Sequence, residues 1–188
     1  MSVKIFAIVN QKGGGGKTTT SVNLAACLAA MHRRVLWIDL DAQGNATMGC
    51  GVDKSQLPAT IFDVLVLGRP INEVVAEGMG GLHVVGANVD LTGAEIDLIY
   101  LDVREYRLKT ALAEINDQYD YVVIDCPPAL NLLTVNALTA ADALIIPMQC
   151  EYYDLEGLAA LVTTIQRVVS QLNPPLKIEG IIRTMMDT

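Results

Sequence analysis

Aromatic side chains are scarce in this chain: two Phe, one Trp and six Tyr make up 5% of 188 residues. The interior must therefore be packed by aliphatic residues, and a hydrophobic content of 52% supplies them. Basic residues are also few, 13 against 21 acidic ones, for a net charge of −8. They are scattered apart from His32-Arg33-Arg34, which reads as the solvated end of a first helix. Such a balance leaves no electrostatic footprint for nucleic acid. Cysteine is sparse and unpaired. Cys27, Cys50, Cys126 and Cys150 lie far apart without a C-x-x-C spacing, which argues against a metal or cluster site and for reduced thiols in a cytoplasmic protein. No apolar run approaches the ~18 residues of a spanning helix. The apolar N-terminal stretch is short and runs straight into Asn10-Gln11-Lys12, unlike a secretory signal. The length accommodates one full core and is short for two ordinary domains.

What is present is a regular alternation. Strand-like runs cover residues 4–9, 35–39, 82–85, 121–125, 143–147 and 178–183. Most are nearly continuous apolar runs, as expected of strands buried on both faces. Leu108, Ala111, Leu112 and Ile115 recur at helical spacing, as do Leu155, Leu158, Ala159, Val162 and Ile165. Strands alternating with helices predict an α/β fold, a mostly parallel sheet with helices on both faces. Ligands of such sheets sit at the C-terminal strand ends.

The most telling segment lies at the first such end. Lys12-Gly13-Gly14-Gly15-Gly16-Lys17-Thr18-Thr19 follows the first strand and precedes an Ala-rich helix. Strand, glycine loop and helix together wrap backbone N–H groups around a phosphate chain and aim a helix N-terminus at it. Gly13, Gly14, Gly15 and Gly16, with Lys17, Thr18 and Thr19, are the expected phosphate-binding set. Lys17 reaches the outer phosphates and the Thr18 hydroxyl holds Mg²⁺.

Three further motifs close later strands. Asp39-Leu40-Asp41-Ala42-Gln43-Gly44-Asn45 follows the second run; Asp39 is expected to stay near the metal, and Asp41 to move with the loop and position attacking water. Tyr121-Val122-Val123-Ile124-Asp125 has the Walker B form, with Asp125 accepting from a Mg²⁺-bound water or from the Thr18 hydroxyl. Pro127-Pro128 stiffens the exit, and Cys126 reads as a small buried filler. Pro147 to Leu158 leads from a strand into a helix; it is read as a loop lining the nucleotide or a dimer face.

The glycine loop has Gln11 where a regular Walker A has glycine, and it carries a second lysine, Lys12. With Lys17 and Thr18 this matches the deviant signature Lys-Gly-Gly-x-Gly-Lys-Thr, and the four motifs in order resemble the ParA/MinD superfamily, on its ParA/Soj partition branch. Gly15 stands where the family has a bulkier residue, and Ala42 where it has proline. Four consecutive glycines leave the loop floppier before nucleotide binds.

The resemblance implies a P-loop NTPase-like fold and a slow, partner-stimulated ATPase that uses ATP and Mg²⁺. It implies a homodimer holding ATP between two chains, with Lys12 reaching into the partner's site, Lys17 and Asp41 catalytic, and Thr18, Asp39 and Asp125 around the metal. It also implies a ParB-type centromere-binding partner, non-specific DNA binding through residues largely missing from this chain, no membrane, and a cytoplasmic, nucleoid-associated location. Residues 1–188 are then a single ATP-binding domain lacking the C-terminal portion of the usual family domain. The alternatives are a MinD-like membrane-cycling division regulator, disfavoured by the Asp-x-Asp-x-Gln-Gly-Asn run; an iron–sulfur reductase, disfavoured by the cysteine placement; and a non-hydrolysing nucleotide-binding module.

Overall fold

The structure, a computed structural model, describes residues 3–149 and 154–185. Its elements follow in the order β1 (Lys4–Ile8), α1 (Lys17–Ala30), β2 (Val35–Asp39), α2 (Asn45–Gly49), α3 (Ile61–Leu65), β3 (Ala76–Glu77), β4 (His83–Val85), α4 (Ala94–Ile99), α5 (Arg107–Ala113), β5 (Tyr121–Asp125), α6 (Leu132–Ala140), β6 (Ala143–Gln149), α7 (Asp154–Gln171) and β7 (Lys177–Thr184). They form one seven-stranded sheet in the order β3-β4-β2-β5-β1-β6-β7. Every pairing is parallel except the short β3 against β4.

The apolar runs behave as two-faced strands. Leu36, Ile38, Val122, Ile124, Leu144 and Ile146 pack on one face against residues of α3 to α7. Val35, Trp37, Val84 and Val123 pack on the other, against Ala25 of α1 and Ala46 of α2. Trp37 is fully buried in this second layer, and its indole N–H makes no hydrogen bond.

Strand order fixes where a ligand can sit. The chain leaves β1 toward β2 on one side, and leaves β6 toward β7 on the other. The C-terminal ends of β1 and β6 therefore flank a switch point, where the outgoing loops part and leave a crevice.

Two expectations need amendment. In α7 the inward stripe is Leu158, Leu161, Ile165 and Val168, while Ala159 is exposed. The run at 178–183 reads as a buried strand, yet β7 is an edge strand with Ile178, Ile181 and Ile182 41–52% exposed. Composition reports a strand's neighbours only through an average, and β7 has one neighbour.

Candidate functional site

Ile8, Asp39 and Asp125 end their strands at one level, because β5 pairs Ile8↔Asp125 on one side and Asp39↔Asp125 on the other. The glycine loop rises from this level and turns into α1. Gly14 (φ 75°) and Gly16 (φ 87°) occupy the left-handed region, where a side chain is strained; Gly16 caps α1. Gly13 and Gly15 do not have such backbones. The loop encloses a cavity of about 230 Å³ running from Gly13 to Thr19 and bordered by Asp41, Cys126, Pro128 and Met185. That is below the ~300 Å³ lower end of small-molecule sites, so it suits a phosphate chain with the rest of a ligand outside.

Lys17 is buried at the base of the loop, and its ammonium donates to the Lys12 carbonyl at 2.8 Å. Burial lowers its pKa, opposed by the charge of Asp125. Thr18 Oγ1 donates to Asp125 Oδ2 at 2.7 Å, which is the second of the two roles open to Asp125 in the sequence. The other oxygen, Asp125 Oδ1, is buried and accepts no hydrogen bond. Burial pushes the Asp125 carboxyl up to about 7, resisted by the Thr18 hydrogen bond. An anionic oxygen with no donor, beside a threonine hydroxyl, is a donor set that suits a hard divalent cation.

Asp39 is placed differently from the expectation. Its carboxylate accepts from the Asp41 N–H (3.0 Å), the Thr47 N–H (3.0 Å) and Thr47 Oγ1 (2.7 Å). Thr47 Oγ1 in turn accepts from the Ala87 N–H. Burial pushes Asp39 up to about 6 against these hydrogen bonds. The group accepts three hydrogen bonds from protein donors, unlike Asp125, which has one oxygen without a donor. Its visible work is to hold the loop that carries Asp41.

Asp41 does border that cavity. Its Oδ1 accepts from the Gln43 N–H at 2.9 Å and its carbonyl from the Gly44 N–H, a tight turn. Gly44 (φ 58°) lies against the Ala87 carbonyl, 2.5 Å from where a Cβ would stand. Cys126 is buried, which fits a filler, and burial raises its thiol pKa.

Lys12 stands at the switch point. Its ammonium donates to Gln149 Oε1 at 2.8 Å. Asn10 Nδ2 donates to the Pro147 carbonyl, tying the loop's start to the same strand end. Of the fourth motif, Cys150 to Tyr153 lie outside the described residues. Residues not anticipated are Asn10, Thr47 and Thr184, whose hydroxyl donates to the Gly15 carbonyl at 3.1 Å. An Asn between strand and glycine loop was a readable signal; Thr47 and Thr184 carry none.

Another cavity, of about 400 Å³, includes His32, Arg33, His83 and Tyr119 in its lining. Arg34 also borders it but is engaged with Asp120 at 2.8 Å. It adjoins residues that precede β2, β4 and β5, away from the carboxylates. Among the described residues no group of three or more His, Cys, Asp and Glu is placed to hold a metal. No described helix is long and apolar enough to cross a membrane.

A family model described as an AAA domain matches residues 3–178. The chain is 52% identical over 185 residues to the sporulation initiation inhibitor protein Soj of Bacillus subtilis, covering 98% of this chain and 70% of Soj. It is 53% identical over 186 residues to the chromosome partitioning protein ParA of Myxococcus xanthus, covering 98% and 66%. Among solved structures it is similar to cobyrinic acid a,c-diamide synthase from Mycobacterium smegmatis with bound ATP analog and magnesium. The TM-score is 0.95 at 41% identity, over 99% of this chain and 76% of that one.

Proposed function

The chain belongs to the ParA/Soj family of chromosome-partitioning ATPases, and from that premise we propose that it is an ATP-driven dimerising switch for DNA segregation. The observation that carries the reading is the joining of three motifs at one strand level. The glycine loop, Thr18 and Asp41 border one cavity of phosphate-chain size, and Thr18 donates to Asp125 behind it.

ATP is the proposed substrate. The N–H groups of Gly13 to Thr19 and the start of α1 would receive its phosphates. Lys17 exchanges the Lys12 carbonyl for the outer phosphates. Magnesium, held by Thr18 and close to Asp125, would neutralise charge on the β- and γ-phosphates. Asp41 orients the attacking water from a turn that Asp39 and Thr47 hold in place. We assign Asp39 to that support role instead of to the metal. Lys12 supplies positive charge to a second copy's γ-phosphate, as an arginine finger does. Hydrolysis then removes the bridging charge and releases the dimer.

A ParB-type partner that stimulates hydrolysis, non-specific DNA binding and a nucleoid-associated cytoplasmic location follow from the same family reading. Residues 1–188 act in it as one ATP-binding domain. Light scattering on Asp41→Ala after size exclusion tests the switch. A dimer with Mg-ATP, absent with Mg-ADP or without nucleotide, is expected. A single chain under all three conditions would sink it.

A further inference from the structure

The Lys12 ammonium makes a hydrogen bond to Gln149 within its own chain, although the proposed function needs it elsewhere. We propose that Gln149 is a holding residue for Lys12, and that exchange of this hydrogen bond for a second copy's phosphate sets the threshold for dimerisation. The inference rests on the reading that Lys12 acts across a dimer.

The geometry supports a defined hold. Gln149 is the last residue of β6, where Met148↔Arg183 and Gln149↔Thr184 continue the ladder with β7. Its backbone is therefore set by a sheet and not by a free loop. Its amide is oriented as well: Nε2 contacts Met185 Sδ, while Oε1 faces Lys12. The lysine's own backbone is tied to the same place, since Asn10 donates to the Pro147 carbonyl and accepts from the Lys12 N–H.

The chemistry of the acceptor suits exchange. A neutral amide oxygen holds an ammonium through one charge-assisted hydrogen bond, and a phosphate oxygen carrying full charge outbids it. A carboxylate in the same position would form an ion pair and hold more firmly. Lys12 also links the two lysines of the loop. Its carbonyl accepts from Lys17 while its ammonium is held by Gln149.

Two opposed substitutions test this on the full chain carrying Asp41→Ala. Dimer fraction is measured against protein concentration in Mg-ATP by light scattering. Gln149→Ala is expected to tighten dimerisation by about tenfold, the scale of one charge-assisted hydrogen bond, and Gln149→Glu to weaken it by a similar factor. Affinity of the single chain for a fluorescent ATP analogue stays unchanged in both. Without nucleotide, acylation of the Lys12 amine, read by mass spectrometry, is faster in Gln149→Ala than in its parent. Damage to the fold would move both variants in one direction, and that result overturns the proposal. So does a parent that dimerises with ATP while neither variant shifts, or unchanged acylation of Lys12. A parent that stays single in ATP is a different failure: it removes the dimer reading, and this role of Gln149 with it.

Discussion

Thr18 and Asp125 are 107 residues apart in sequence and meet through a 2.7 Å hydrogen bond at the C-terminal edge of the sheet. The bond joins the first turn of α1 to the end of β5, and so links the glycine loop directly to the carboxylate that ends that strand. Removing the hydroxyl leaves a buried carboxylate without its donor and, on the proposed reading, magnesium without one of its ligands. Thr18→Ala is expected to lower Mg-ATP affinity by about tenfold or more, with Thr18→Ser close to wild type. Calorimetric titration with and without EDTA checks it: the loss should appear only when magnesium is present.

Burial raises the carboxyl pKa of Asp39 to about 6 and of Asp125 to about 7, from 3.8. Each group binds its proton more tightly folded than unfolded. Their contribution to stability without nucleotide is thus full below pH 3.8 and is lost as pH rises through about 6 and about 7. On the proposed reading a bound cation favours the ionised form of Asp125, so its stabilising effect grows as pH rises toward about 7. The melting temperature gained on adding Mg-ADP should therefore be larger at pH 7.5 than at pH 5.5. Asp125→Asn should flatten the nucleotide-free profile and abolish much of the gain. A gain independent of pH would contradict the assignment.

Glycines of the loop are unequal. Gly16 has φ 87°, and a Cβ there would lie 3.2 Å from Thr184 Cγ2. Gly15 has an ordinary backbone, and its Cβ would approach Asn10 Nδ2 at 3.1 Å, so that side chain must yield by a few tenths of an ångström while keeping its bond to the Pro147 carbonyl. Gly15→Ala is expected to keep or improve ATP affinity, up to about fivefold, by removing about 0.4–1 kcal/mol of loop entropy. Gly16→Ala should lose binding. Titration of both variants with a fluorescent ATP analogue separates them.

Gly44→Ala should be among the costlier single changes outside the core. Its Cβ would meet the Ala87 carbonyl at 2.5 Å with φ at 58°, and a backbone oxygen has little room to yield. A loss of about 1–3 kcal/mol, with hydrolysis falling more than nucleotide binding, is expected because the turn positions Asp41. Urea unfolding and single-turnover hydrolysis on the same sample check both parts.

Much of this was legible in the sequence. The bounds of β2 and β5 match the expected runs residue for residue, because continuous apolar stretches ending in Asp give strong signals at both termini. The phosphate loop announced itself through residue types that only a ligand requires. Partnerships between distant residues were not legible. Nothing local marks Thr47 as a donor to Asp39, so the hold of Asp39 on the Asp41 turn was not legible. Gln149 lay in a motif read as lining the nucleotide or a dimer face, and its bond to Lys12 became visible only once the strand order placed β6 beside β1. β3 escaped because two residues, Ala76 and Glu77, carry no periodicity.

The placement of Trp37 has a practical consequence. It is the chain's single tryptophan, fully buried two residues before Asp39 on the strand that leads into the Asp41 turn. With no hydrogen bond to its indole N–H, it should emit at short wavelength and without interference from a second indole. The protein therefore carries its own optical gauge, sited beneath the Asp41 turn. A shift or change in quantum yield on mixing with nucleotide would time the rearrangement of that turn in a stopped-flow instrument, with no label attached.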